Sequence, residues 1–330
     1  LLERGHSVTV LDDGSAGDPA GWFERSSALH PGPSVLTLRA APDAAAPRRA
    51  ASAGRVHGER CSPTWPHPHP GPLSQLRRAA PRLAVERGSA ADAARVDALV
   101  AACDVVVHLA AAVGVERIVR DPERSRRLNT GTTRCTLNAA IRHRRRFVFA
   151  SSSEVYGATV PPFREGLVTP PAPGRTGRFS YARSKWRGEC LVRTAAERDG
   201  LEGLILRFFN TVGPGQSGRY GMVLPRFAER ALLGQPLAVH GDGQQTRCFA
   251  DVRDVASMIA DLMDCPAAWG QTVNVGADQP VTIRALAERV LRVADSPSPI
   301  RLSPYSVAMA PGFDPILHRL PDLSRLRSLL

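Results

Sequence analysis

Phe147-Val-Phe-Ala-Ser-Ser-Ser-Glu-Val-Tyr-Gly157 is an apolar run that passes directly into three hydroxyls and a carboxylate. A short run of this kind reads as a strand buried on both faces, as in parallel sheets covered by helices. Working outward, Asp104-Val-Val-Val-His-Leu-Ala110 and the stretch from Gly203 to Arg207 have the same character. Helical patterns fill the intervals, one opened by Asp121-Pro122 and running to about His143, the other from about Ser180 to Arg198. Strands alternating with helices predict an α/β fold with a doubly wound parallel sheet. Ligands of such sheets sit beyond the strand C-termini, so Ser151 to Gly157 stands where a site is expected.

The second helix carries Tyr181-Ala-Arg-Ser-Lys185, and Lys185 is the sole lysine among 43 basic side chains. A chain that otherwise writes its cations as Arg has a chemical need for an ammonium at this point. Four residues apart, the phenol and the ammonium share one helix face. A nearby cation favours the phenolate, so the reading is a Tyr general base whose pKa Lys185 lowers.

Toward the N-terminus, Leu1 to Gly5 read as the last turn of a helix, followed by a buried strand from Ser7 to Leu11 that closes on Asp12 and Asp13. An acid ending the second strand of a dinucleotide-binding unit accepts ribose hydroxyls, which makes Asp12, with Asp13 beside it, a cofactor candidate. The expected architecture is therefore Rossmann-like and lacking its first strand, with the chain opening after the Gly-rich phosphate loop. Residues 31–80 are rich in Pro and Arg and include Trp65-Pro-His-Pro-His-Pro70, so they read as a poorly ordered insertion. The alternating histidines have no carboxylate or Cys partner, and no metal is expected. Strands near Leu83 to Glu86 and a helix over Asp92 to Ala102 complete a first domain, 1–207. Beyond it, 208–330 reads as a smaller α/β C-terminal substrate lobe intertwined with the first. Its elements are helices at Leu224 to Leu233, Val252 to Met263 and Ile283 to Ala294 and strands at Ala238 to His240 and Thr272 to Val275.

The formal charge is +12, yet the densest run, Arg142-His-Arg-Arg-Arg146, ends a helix, where cations are favoured, and no aromatic interleaving accompanies it. A nucleic-acid partner is not expected. Cys61, Cys103, Cys135, Cys190, Cys248 and Cys265 are scattered and read as reduced thiols. No apolar run approaches the ~20 residues of a membrane span, and a soluble, cytoplasmic protein is expected.

Taken in order, Ser-Ser-Ser-Glu-Val-Tyr-Gly, Tyr-x-x-x-Lys, Arg207-Phe-Phe-Asn-Thr-Val-Gly-Pro214, His240-Gly-Asp-Gly-Gln-Gln-Thr-Arg247 and Val273-Asn-Val-Gly276 resemble the extended short-chain dehydrogenase/reductases. Within these the chain is most similar to the NAD-dependent nucleotide-sugar epimerases, dehydratases and decarboxylases, over residues 1–15 and about 83–330. The resemblance implies NAD as cofactor, held by Asp12, Asp13, Leu109, Ala110, Ala111, Asn129, Tyr181 and Lys185. It implies Ser152, Glu154, Tyr181 and Lys185 as the catalytic set. Ser152 would hydrogen-bond the sugar hydroxyl, Tyr181 would take its proton, and the hydride from sugar C4 would pass to NAD. It further implies a nucleotide-sugar substrate, a UDP-sugar being favoured, contacted by Ser152, Asn210, His240, Arg247 and Arg319, and a homodimer built on the helices at 121–143 and 180–198.

Gly88-Ser89 departs from the family's usual Gly-Asp, Asn129-Thr-Gly-Thr-Thr133 lacks a second glycine, and the chain stops soon after Pro321-Asp-Leu-Ser324. The leading expectation is a UDP-sugar 4-epimerase acting through a 4-keto intermediate. A UDP-glucuronate decarboxylase, suggested by Glu154 and Arg319, and a 4,6-dehydratase stay open. So does a non-catalytic fragment that binds a nucleotide sugar or a partner without turnover.

Overall fold

In the computed structural model the apolar runs become strands of one seven-stranded sheet. The structure describes residues 1–12, 34–39, 83–167, 178–305 and 316–330, less short gaps at 2–3, 5, 114–117, 119–120, 158, 215, 217 and 219–221. The first half consists of β1 (Ser7–Asp12), β2 (Ser34–Arg39), β3 (Leu83–Arg87), α1 (Ala93–Ala101), β4 (Val105–His108), α2 (Pro122–Arg142), β5 (Arg146–Ser152), α3 (Arg178–Asp199) and β6 (Gly203–Phe208). The second half consists of β7 (Asn210–Val212), α4 (Val223–Leu232), β8 (Leu237–His240), β9 (Thr246–Asp251), α5 (Val252–Asp264), β10 (Thr272–Val275), β11 (Pro280–Thr282), α6 (Ile283–Val293), β12 (Ile300–Ser303), β13 (His318–Arg319) and α7 (Ser324–Leu329).

The large sheet runs β10-β6-β5-β4-β2-β1-β3, doubly wound as the alternation predicts. Its strands are parallel except β2, which is antiparallel to both β1 and β4. Part of the stretch read as a poorly ordered insertion, residues 34–39, is thus a strand of the sheet, while 40–82 lie outside the described residues. Ser34-Val-Leu-Thr-Leu-Arg39 lies inside the sheet between β4 and β1, with Thr37 buried. Flanking prolines hid a six-residue β-former. Trp65 to Pro70 lie outside the described residues.

Alternation along β5 feeds two cores. Phe147 and Phe149 join the cluster under α1, α2 and α3, which includes Val96, Val100, Leu137 and Val192, while Val148 joins Val255, Leu262 and Leu326 of α5 and α7. Capping fixes where the helices begin. The Asp92 and Asp121 carboxylates accept from the backbone N–H of Arg95 (3.1 Å) and Arg124 (2.9 Å), and Pro122 occupies the first turn of α2. In the second half, β9 pairs with β11, β13 and β7, and β12 pairs with β8.

Helix α3 meets β5 at Gly188, where an added Cβ would lie 2.3 Å from Phe149 Cζ. Gly188→Ala is therefore expected to cost about 1–3 kcal/mol by overpacking. A lowered Tm, partly restored by Phe149→Leu in the same chain, is the expected result of thermal melts. An unchanged Tm would show that the helix can back away freely.

Candidate active site

The end of β5 and the facing turn of α3 build one side of the site. Ser152 closes β5 and caps a 3₁₀ turn over Ser153–Tyr156, its Oγ accepting from the Glu154 N–H at 3.3 Å. Tyr181 hydrogen-bonds Ser152. Burial, and after it the charge of Glu154, push the Tyr181 phenol above its ordinary value against that hydrogen bond.

Lys185 is buried, and its Nζ donates to the Ala150 carbonyl at 2.7 Å. The nitrogen stands 5.2 Å from the Phe149 ring centre and 5.9 Å from that of Tyr181. Burial lowers its pKa to about 7. The expected lowering of the Tyr181 pKa is thus not the state of this structure. The ammonium rests on a strand carbonyl, and desolvation governs both groups. His108 is no base here: burial, then the charge of Lys185, lower its pKa to about 3, and its ring nitrogens meet Thr133 (3.1 Å) and Thr136 (3.2 Å).

On the opposite side β13 presents Arg319, nine-tenths buried, with Nη2 donating to Glu154 Oε1 at 2.5 Å. Its Nε is buried and has no hydrogen-bond partner among the described residues. Arg319 pairs in register with Arg247 of β9, and Asn210 of β7 lies opposite Phe249 of the same strand. The Asn210 amide donates to the Cys248 carbonyl at 3.2 Å, and Arg247 Nη1 to the Thr246 carbonyl at 2.7 Å. Strand β9 thus joins three expected substrate residues. His240 ends β8, where burial, then the charge of Arg226, hold its pKa below the usual range, and its Nδ1 lacks a partner among the described residues. Tyr305, absent from the sequence reading, packs against Gly241, where a Cβ would lie 2.5 Å from Cε2. The parallel register of Ser303 with His240 brings it there, and no motif signalled it.

Of the expected cofactor residues, Asp12 is buried at the C-terminal end of β1, Ala110 and Ala111 are buried just beyond β4, and Leu109 is half-buried. Asp13 lies outside the described residues. Asn129 is buried, its Oδ1 accepting from the Ala112 N–H (2.6 Å) and its Nδ2 donating to Ser184 Oγ (3.0 Å). Its amide fixes the loop after β4 against α3.

The model of the NAD-dependent epimerase/dehydratase family matches residues 44–276. The chain belongs to this family. It is 36% identical over 227 residues, 68% of this chain and 70% of the relative, to the UDP-N-acetyl-alpha-D-glucosaminuronate decarboxylase of Bacillus cytotoxicus. It is 31% identical over 231 residues to UDP-glucuronic acid decarboxylase 1 of Danio rerio, covering 69% of this chain but only 52% of that protein. Among solved structures, the dTDP-glucose 4,6-dehydratase of Streptomyces venezuelae with NAD and TYD bound superposes with a TM-score of 0.67 at 25% identity, over 78% of this chain and 76% of that one.

The family is one of enzymes, and its cofactor is NAD. The structure fits that group at its two sugar ends: a buried ammonium at Lys185, a buried carboxylate at Asp12, and small buried alanines between them. Between those ends the position beside β1 and β4 belongs to antiparallel β2, and among the described residues no glycine turn leads from it into a helix.

The folded chain holds the Lys185 proton less tightly, with a pKa of about 7, than the unfolded chain does at about 10.4. Unfolding therefore takes up a proton across that window, and stability rises with pH from about 7 to about 10. Lys185→Met is expected to raise Tm most at and below pH 7, by at most roughly 5 kcal/mol of stability. Parallel melts at pH 6 to 10 should show the advantage shrinking toward alkaline pH. An advantage independent of pH would refute the burial of a charge at this position.

Proposed function

We propose that the chain is a nucleotide-sugar enzyme working through oxidation at sugar C4, and that its substrate is a UDP-sugar acid which it decarboxylates. The observation that carries this is Arg319: a guanidinium nine-tenths buried, bound to Glu154 through one nitrogen and with an unpartnered Nε. A planar fork with a spare donor suits a second carboxylate. Two relatives named as sugar-acid decarboxylases support the reading.

In this mechanism Tyr181 takes the proton of the C4 hydroxyl while Ser152 hydrogen-bonds that oxygen, and Lys185 offers positive charge on the Tyr181 side. NAD, when bound, accepts the C4 hydride and later returns it. Oxidation at C4 makes the sugar acid a β-keto acid, which loses CO₂ as its C5–C6 bond breaks and the electron pair moves into the C4 carbonyl. Arg319 orients the carboxylate before that loss. Glu154, displaced from Arg319 by the incoming acid and protonated from solvent, is the group at hand to donate a proton to C5 in place of the lost carboxyl. Asn210, Arg247 and His240, with Tyr305, serve the nucleotide diphosphate.

A second reading, the UDP-sugar 4-epimerase, is favoured by Tyr181-Ala-Arg-Ser-Lys185, which departs from the Tyr-Asp-Glu-Gly-Lys form typical of decarboxylases. Separate incubation with UDP-N-acetylglucosaminuronate, UDP-glucuronate and UDP-glucose, followed by mass measurement of the products, decides between them. Loss of CO₂ from an acid is expected, with kcat/KM falling about 100-fold in Arg319→Gln. Interconversion of UDP-glucose with both acids untouched would overturn the decarboxylase in favour of the epimerase.

A further inference from the structure

The reaction just described leaves a chain of buried polar groups unused. Glu189, one helical turn beyond Lys185, is wholly buried and accepts from Ser151 Oγ (2.5 Å), Arg207 Nε (2.9 Å) and Nη2 (2.7 Å), and Arg193 Nη2 (2.6 Å). Burial opposes its charge, but Arg207 and Ser151 more than offset that, so the carboxyl stays below its ordinary range. Arg207, also wholly buried, passes Nη1 to Tyr156 Oη (3.2 Å) and to the Glu165 carbonyl (2.9 Å). The Tyr156 hydroxyl donates to Asn274 Oδ1 at 2.6 Å.

Asn274 is the junction. Its Nδ2 donates to the carbonyls of Phe163 (2.8 Å) and Asp322 (3.1 Å), and its backbone N–H donates to Glu165 Oε1 (2.9 Å). Phe163 in turn brackets the residues after Arg319, its N–H donating to the Leu320 carbonyl (2.8 Å) and its own carbonyl accepting from the Asp322 N–H (2.9 Å). At the far end, Ser151 lies between Ala150, whose carbonyl holds Lys185, and Ser152. One continuous set of hydrogen bonds therefore joins the strand end bearing Ser152 to the segment bearing Arg319.

We infer that Asn274 is a specificity-positioning residue: clamped to Phe163 and Asp322, it holds Arg319 where the carboxylate of a sugar acid docks, at a fixed distance from Ser152. The inference rests on the sugar-acid reading. An amide is needed because the position must accept from a phenol and donate to two carbonyls at once. Leucine has nearly the same size and does neither, removing the acceptor of the buried Tyr156 hydroxyl and one donor to each of the two carbonyls. Asn274 touches no substrate, so its loss acts through Arg319.

The test measures affinities of the whole chain for UDP-glucuronate and UDP-glucose by calorimetry. Asn274→Leu is expected to weaken the acid about tenfold and the neutral sugar by less than about twofold. Tyr156→Phe keeps the ring stacked on Phe163 and removes only the hydroxyl that links Arg207 to Asn274. It should move the same ratio in the same direction by about threefold, and it decides the matter if Asn274→Leu does not fold. Arg319→Gln serves as reference. If Arg319→Gln abolishes the preference for the acid while both other variants retain it, the positioning role fails and the sugar-acid reading survives. If Arg319→Gln leaves the preference intact, both fall. A parallel weakening of both ligands in Asn274→Leu and Tyr156→Phe would reduce the network to fold stability alone and overturn the inference.

Discussion

The close approach of α3 to β5 is the constraint on which the site depends. Gly188 lets the helix backbone come down onto Phe149, and no side chain larger than hydrogen fits between them. With the helix at that distance, Lys185 reaches the Ala150 carbonyl and Glu189 reaches Ser151, on consecutive residues of the same strand. Ser152 follows them directly. The hydroxyl, the phenol and the ammonium are thus placed by backbone contact and not by flexible side chains, which is the precision that proton transfer requires.

Charge burial gives this region its second property. Glu189 and Arg207 neutralise one another in a bidentate pair away from water, an arrangement whose desolvation cost is large and whose geometry must be correspondingly complete. Lys185 has no ion-pair partner among the described residues, only a carbonyl and the faces of two rings. Its pKa falls to about 7, so its charge responds to whatever anion or dipole arrives. Arg319 follows the opposite logic, since it already holds one carboxylate and keeps a buried Nε without a hydrogen-bond partner among the described residues. The same strand system that aligns Arg319 with Arg247 carries Asn210, so the small sheet places two guanidiniums in register and an amide on the neighbouring strand.

Much of this was legible from local pattern. The buried strands at Val105 and Phe147, the capped helices and the Tyr181 to Lys185 spacing all follow from periods of two and 3.6 and from capping chemistry, which are properties of neighbouring residues. Strand β2 was not legible, because a central position in a sheet is a matter of partners far away in the chain. Its neighbours Leu11 and His108 lie opposite Val35, across segments whose composition gives no hint of pairing. Tyr305 and the hydrogen bonds of Asn129 were not legible for the same reason. The tyrosine is brought in by the register of β12 with β8, and the asparagine is turned inward by a backbone N–H seventeen residues away.

The sequence by itself determined that this is a doubly wound α/β protein of the NAD-dependent epimerase/dehydratase family and named the hydroxyl, phenol and ammonium of its site. These depend on residue type and short spacing, and a helix or strand carries such spacing into space without outside help. Tertiary structure alone decided that Lys185 rests on a carbonyl instead of serving the phenol, that Glu154 and Arg319 form one pair, and that Asn274 ties the two sides together. Each of these joins residues from 35 to 165 positions apart or depends on the exclusion of water. Burial and long-range contact exist only once the chain has closed around them.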